Sequence, residues 1–408
     1  MRLVIIGGDA AGMSAASQAR RLDRDAEIIV LEATSDVSYG ACGLPYKIPE
    51  GRSMDDLQII TAERFREERG LDLRLEHEVT AIQPADKKVT GRAPNGPFEV
   101  TYDKLIIATG ARVRMPPIPG LKEHWYKGVY PLKTLEDGRQ LKAALDRDKP
   151  ASALVIGAGY IGLEATENMH ERGMQVTVVE AMPELLPFLP EPLRDRVAAE
   201  AEDKGIPLHL GTMVQEVGRG EDGKMLVKTS GGEFIADLVL ASTGVQPNSE
   251  LAAEAGLELA AAGSIKVDEQ LRTSDPDIFA AGDCADAVHG VSGRSVWYPL
   301  ALRANRAGKL AGANAMGQAN VAPPVMGTAV FKFLDMEIAR AGLSEQEAAE
   351  AGLEVGTANI LGSTRAHYYP GGSKINVWLM GEKGTGRLLG GAMVGPEGAA
   401  HKIDTVVA

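Results

Sequence analysis

Two stretches of the chain share one pattern of apolar and polar positions. Leu3 to Ile6 is a short continuous apolar run. Gly7-Gly8-Asp9-Ala10-Ala11-Gly12 follows, then an Ala-rich segment to about Leu22. Ile28 to Leu31 is the next apolar run, closed by Glu32. Unbroken apolar runs of this length suit strands buried on both faces of a parallel sheet. Ala153 to Glu164 reads A-L-V-I-G-A-G-Y-I-G-L-E and repeats the device, with Val176 to Val179 as the following strand and Glu180 as the closing acid.

Strand, glycine turn, helix, strand and acid together predict a dinucleotide-binding unit. In the first copy Gly7 makes the tight turn and Gly12 lets the helix pack close to the strand. A pyrophosphate sits on such a helix N-terminus, and Glu32 is placed to take a ribose hydroxyl. Asp9 stands where G-x-G-x-x-G has its middle glycine. The second copy is complete, with Gly157, Gly159 and Gly162. Two copies in one chain predict two bound nucleotides. Glu180 suits a free 2′-hydroxyl and repels a 2′-phosphate, which favours NADH over NADPH.

Tyr102 to Gly110 reads Y-D-K-L-I-I-A-T-G, and Pro116, Pro117 and Pro119 follow, so the first domain exits near residue 111. Leu238 to Asn248 carries a similar S-T-G turn, where the inserted domain returns. Thr273 to Asp286 ends a strand in Gly282-Asp283, exposing a carboxylate at the strand end. From Pro324 the pattern changes. Strand-like runs (327–333, 375–380, 388–394) surround a helix over 344–351. The expected fold class is α/β: two Rossmann-like domains, residues 1–111 with 245–322 and residues 112–244, plus a C-terminal α+β domain over 323–408.

Composition narrows the function. Across 408 residues, apolar content is 44% and charged content 24%, ordinary for a globular chain. A net charge of −13 argues against nucleic acid and against an anionic membrane surface as partners. No apolar run approaches ~18 residues, so no membrane span is expected. The opening M-R-L-V-I-I-G-G is broken by glycine too soon for a signal peptide. Two cysteines make no disulfide framework, which fits a reducing compartment such as the cytoplasm.

One of those cysteines is the centre of the candidate chemistry. Ser38 to Tyr46 reads S-Y-G-A-C-G-L-P-Y, and small residues around Cys42 let a bulky planar group approach the backbone. A helix opening at Pro45 would aim its positive end at Cys42 and lower the thiol pKa. Cys284 reads as a small buried residue. Ser14, Gln18 and Arg21 share one polar helix face. That face is either solvated or a substrate edge reaching Cys42, with Arg20, Arg21 and Arg24 near anionic groups. Arg64, Arg66 and Arg69 read as surface charge. His124, His170 and His209 lack metal spacing. Arg365 to Gly372 is a polar aromatic loop containing Tyr368.

Taken together these residues resemble the FAD-dependent pyridine nucleotide–disulfide oxidoreductases along the whole chain. The resemblance implies a homodimer in which residues 323–408 form the interface. It implies FAD held by Gly7, Ala11, Gly12, Glu32, Ala108, Thr109, Gly110, Gly282, Asp283, Leu300 and Ala301. It implies NADH held by Gly157, Gly159, Tyr160, Ile161, Gly162, Glu180 and Gly244, with Tyr160 lying over the flavin until the nicotinamide displaces it. The second sulfur of the C-x4-C members is absent, so Cys42 works alone, as a mixed disulfide or a sulfenic acid. The sulfenic-acid branch, with NADH peroxidase and NADH oxidase, carries a His in the first glycine loop where this chain has Ala10. The S-x-x-x-C-G-L-P-Y segment resembles coenzyme A-disulfide reductase, although Ala41 departs from that branch's usual Asn. The Y-Y-P-G loop, supplied by the partner subunit, matches Tyr368 to Gly371. A second Tyr-bearing segment of the family and an appended rhodanese domain have no counterpart up to Ala408.

The implied reaction takes hydride from NADH to FAD and then reduces a Cys42–coenzyme A mixed disulfide. Ser38, Gln18 and Arg21 line the substrate side, and Tyr368 serves the leaving thiolate. An NADH oxidase or peroxidase and a flavoprotein redox sensor are the alternatives.

Overall fold

The computed structural model describes residues 1–408 as three packed units. The first is built on a five-stranded parallel sheet. Its order is Ile278–Ala280, Lys104–Ile107, Arg2–Ile6, Glu27–Leu31, Asp72–Arg74. Leu3, Val4 and Ile5 are fully buried, as their continuous apolar run requires. The helix Ala10–Leu22 packs lengthwise on the helix Ala301–Ala315 through small residues. A Cβ on Gly308 would stand 2.2 Å from the Ala11 carbonyl oxygen, and one on Gly312 would stand 2.4 Å from that of Ala15.

The second unit repeats the plan with Leu208–His209, Gln175–Val179, Ser152–Ile156, Leu238–Ala241 and Val129–Tyr130, again all parallel. Between the units, Ala111–Val113 pairs antiparallel with Val245–Pro247, so the chain leaves and returns side by side. Thr109 Oγ1 donates to the Asn248 carbonyl at 2.6 Å, and Asn248 Nδ2 returns a bond to the Thr109 carbonyl at 2.8 Å.

The third unit is a five-stranded antiparallel sheet ordered Ala329–Phe333, Met336–Gly342, Leu388–Gly395, Lys374–Glu382, Val355–Ser363. Its helix Glu345–Glu350 starts at a capping box between Ser344 and Glu347. The sequence pattern missed two of these strands, Met336–Gly342 and Val355–Ser363. Val355–Ser363 is an edge strand exposed over most of its length, so it shows no buried alternation to read.

The three units are tied together around the cysteine segment. Leu44, Ile48 and Met54 pack into the apolar core of the second unit, which also takes in Phe331, Phe333 and Trp378 of the third. Arg172 donates to the Ile48 carbonyl at 3.1 Å, and Lys142 donates to the Pro49 carbonyl at the same distance. Glu167 receives Lys332 and the Leu334 N–H. Cys42 therefore sits at a junction of all three units.

Candidate active site

The two glycine loops are built alike. Gly7 adopts φ +108°, and a Cβ there would stand 2.2 Å from the Ala108 carbonyl oxygen. A Cβ on Gly12 would stand 1.8 Å from the Gly7 carbonyl oxygen; the matching distance from Gly162 to Gly157 is 2.1 Å. Only glycine fits at these positions. Each closing acid also braces its loop. Glu32 accepts from Gly8 N at 2.7 Å and from Thr34 N at 2.8 Å. Glu180 accepts from Ala158 N at 2.7 Å and from Met182 N at 2.9 Å.

The helix termini decide whether nucleotides fit. The helices starting at Ala62, Leu135 and Glu345 are capped by the side chains of Thr61, Thr134 and Ser344. The helices starting at Ala10 and Tyr160, which follow the glycine loops, have no side-chain cap. Their first-turn N–H groups are therefore free for a diphosphate, the group a helix N-terminus suits best. A Cβ on Gly159, Gly110 or Gly244 would meet nothing within 4 Å, so these turns face open space. The chain fits both dinucleotides, with Ile161 half-buried behind the second loop.

Cys42 lies in a short 3₁₀ turn, Ala41–Gly43. Its thiol pKa is raised, first by burial among protein atoms and then by the Glu164 carboxylate, although the residue keeps solvent contact. This corrects the expectation of a depressed thiol. No α-helix begins at Pro45; Pro45–Lys47 is another 3₁₀ turn, too short to present a helix dipole. Among the groups that favour the thiolate are Lys133 and the Ala301 N–H. Ala301 opens the helix Ala301–Ala315, whose N-cap Leu300 gives no side-chain bond.

Three groups near Cys42 escaped the sequence reading. Tyr46 donates its hydroxyl to Glu164 at 2.8 Å. Burial holds the Glu164 carboxyl up at about 7, against the lowering effect of that bond. Lys133 reaches Asp283 at 3.3 Å, at the end of the strand Ile278–Ala280. Gly282, at φ +89°, lets that turn approach Ala11: an added Cβ would stand 2.8 Å from the Ala11 Cβ. Asp9 accepts from Tyr39 N at 3.1 Å. Tyr46 and Glu164 each stand in a quoted motif, C-G-L-P-Y and G-Y-I-G-L-E, and those motifs were the available signal. Lys133 had none.

The basic residues divide. Arg20 is consumed by five backbone carbonyls, those of Asp23, Arg24, Ala26, Arg69 and Gly70, at 2.6 to 3.4 Å. It braces the helix and is unavailable to a substrate anion, which corrects that part of the expectation. Arg21 stays exposed, 3.5 Å from Gln18 Oε1. Ser38 holds φ +50° beside the first glycine loop. Arg64 pairs with Glu68, and Arg66 bonds the Leu73 carbonyl. Cys284 is fully buried and donates to the Ile107 carbonyl at 3.4 Å. The two cysteines are not bonded to each other.

Tyr160 stacks on Phe188 at 5.0 Å and meets Phe331 edge-on at 4.9 Å. Tyr368 is 78% exposed on the loop after the edge strand, beside Tyr369 at 58%. The His367 ring meets Tyr368 edge-on at 5.3 Å.

Two dinucleotide loops converging on one cysteine define a flavin- and nicotinamide-dependent oxidoreductase. Residues 1–317 match the pyridine nucleotide-disulphide oxidoreductase family, and residues 328–408 match its dimerisation domain. The chain belongs to this family, and its cofactors are FAD and NAD(P)H. It is 37% identical to an NAD(P)H coenzyme A polysulfide/persulfide reductase of Pyrococcus horikoshii, over all of this chain and 90% of that one. It is 29% identical to a coenzyme A disulfide reductase of Staphylococcus haemolyticus, over 99% of this chain and 90% of that one. A NAD-dependent persulfide reductase from A. fulgidus superposes with a TM-score of 0.95 at 38% identity, covering all of this chain and 76% of that one. A water-forming NADH oxidase from Lactobacillus brevis superposes at 0.94 with 27% identity, covering all of this chain and 89% of that one. No helix is long and apolar enough to cross a membrane.

Proposed function

We propose that the protein is an NADH-dependent reductase of coenzyme A disulfide or a related small disulfide, working through Cys42 alone. The observation that carries this is the setting of the two sulfurs: Cys42 is exposed at the junction of the three units, while Cys284 is fully buried in the first. FAD, when bound, supplies the relay that takes hydride from NADH and passes two electrons to sulfur. Gly7, Gly12 and the free N–H groups of the first helix hold its diphosphate, with Glu32, Thr109, Asp283 and Ala301 around it. Gly157, Gly159, Gly162 and Glu180 hold NADH. Residues 1–111 and 245–322 are taken as the flavin domain, 112–244 as the nicotinamide domain and 323–408 as the interface domain of a homodimer.

The Cys42 thiolate attacks one sulfur of the substrate disulfide. The S–S bond breaks, a Cys42 mixed disulfide forms and one thiolate leaves. Two electrons then cleave the mixed disulfide, release the second thiolate and regenerate Cys42. The Ala301 N–H and Lys133 stabilise sulfur as an anion, while Glu164 opposes it. The partner subunit's copy of the loop supplies Tyr368 to the leaving thiolate, and Arg21 with Gln18 and Ser38 lies on the substrate side. Ala10 in the first glycine loop favours disulfide over peroxide, because it offers no proton donor to a hydroperoxide. Steady-state NADH oxidation with and without coenzyme A disulfide tests the reading. Disulfide-dependent turnover that Cys42→Ser abolishes supports it; NADH consumption driven by oxygen alone overturns it.

A further inference from the structure

The middle position of the first glycine loop holds Asp9, where the second loop holds Gly159. A carboxylate there puts negative charge beside the helix end that suits a diphosphate, and glycine would not. Asp9 does not use its side chain to cap the helix. Its Oδ1 accepts from Tyr39 N at 3.1 Å, three residues before Cys42. One residue earlier, Ser38 N donates to the Gly8 carbonyl at 3.1 Å, and the Ser38 carbonyl accepts from Ile59 N at 2.7 Å. Ser38 lies at φ +50°, a conformation that a residue with a Cβ keeps only when its surroundings hold it. The two segments also touch directly: a Cβ on Gly8 would stand 2.8 Å from Val37 Cγ1. The charged groups facing Asp9 are Lys133, Glu32 and Asp283, from three other elements. Lys133 is itself drawn to Asp283, which leaves the Tyr39 N–H as the hydrogen-bond partner of Asp9.

We infer that Asp9 is a positioning residue for Cys42: its carboxylate fastens the strained segment 38–42 onto the dinucleotide loop, fixing where the sulfur stands relative to Ala301 and the bound cofactors. The kinetic consequence rests on the disulfide-reductase reading; the tether does not.

The test uses the flavin-loaded full chain and two variants. Asp9→Gly restores the fingerprint residue and removes the acceptor. Asp9→Asn keeps an acceptor oxygen and removes the charge. Amide hydrogen exchange is followed in a peptide spanning residues 37–43. Turnover with coenzyme A disulfide is measured per bound flavin. Losing the acceptor and leaving the Tyr39 N–H unpaired corresponds to about tenfold or more. Asp9→Gly is expected to exchange at least about tenfold faster there and to lose kcat by a similar factor with little change in KM. Asp9→Asn is expected to stay within about threefold of the parent on both readouts. Parental exchange and kcat in Asp9→Gly would overturn the inference. So would equal damage in both variants, because charge rather than the tether would then matter. Asp9→Ala makes the same comparison should Asp9→Gly yield no flavoprotein. If Cys42→Ser retains disulfide turnover, the functional reading falls, while the exchange comparison still decides the tether.

Discussion

Replacing Glu164 by Gln should make the protein gain on its parent as the pH rises. Burial lifts the Glu164 carboxyl from an ordinary 4.5 to about 7 in the folded chain, with the Tyr46 hydroxyl bond at 2.8 Å partly opposing it. Between these values the folded chain keeps a proton that the unfolded chain has released. The unfolding free energy therefore falls as the pH rises through this window. A shift of this size corresponds to at most about 3 kcal/mol at 1.36 kcal/mol per unit. Glu164 keeps some solvent contact, so about 1–2 kcal/mol is the expected share. Gln does not titrate, and its amide oxygen still accepts from Tyr46. Unfolding by guanidinium, followed through the fluorescence of Trp125, Trp297 and Trp378, measures the difference at pH 5, 6, 7 and 8. Glu164→Gln should gain about 1–2 kcal/mol on the parent from pH 5 to pH 8. A constant difference, or a gain toward acid, would refute the burial argument. Burial is the larger cause of the raised Cys42 thiol, but the same variant removes the Glu164 charge that adds to it, so alkylation of Cys42 near pH 8 should become faster.

Two further outcomes follow from the site. Glu180→Gln should raise kcat/KM with NADPH relative to NADH by about tenfold or more, if the charge it removes is the one proposed to face the 2′ position; an unchanged ratio would show that Glu180 only braces its loop. Tyr368→Phe should lower kcat for disulfide reduction by about 10²-fold or more and leave flavin reduction by NADH in a rapid-mixing experiment untouched; an unaffected kcat would remove Tyr368 from the mechanism.

What could be read from the sequence was what backbone geometry dictates locally. Gly7, Gly12, Gly157 and Gly162 are forced by carbonyl oxygens about 2 Å from where a Cβ would stand, and such demands recur at fixed spacing. The apolar runs of both parallel sheets were legible for the same reason. The electrostatics of Cys42 were not. They depend first on burial and then on Glu164, Lys133 and the Ala301 N–H, which three distant parts of the chain deliver to one place. The helix expected at Pro45 would have supplied the opposite sign. Arg20 shows the same limit: its charge is visible in the sequence, but the five carbonyls that occupy it are not. Asp9 stood out only as a departure from a glycine pattern, and its partner, a backbone N–H thirty residues on, carries no side-chain signature.

One sulfur, Cys42, is proposed to carry the substrate. Coenzyme A disulfide added without oxygen to thiol-reduced protein freed of reductant and of NADH, so that no electrons arrive to cleave a mixed disulfide, allows the adduct to be located by peptide mass after acid quenching. One coenzyme A per chain is expected, disulfide-bonded in the peptide containing Cys42, and none on Cys284, whose sulfur is fully buried. No adduct on Cys42 while the free thiol accumulates, or an adduct on Cys284, would contradict it.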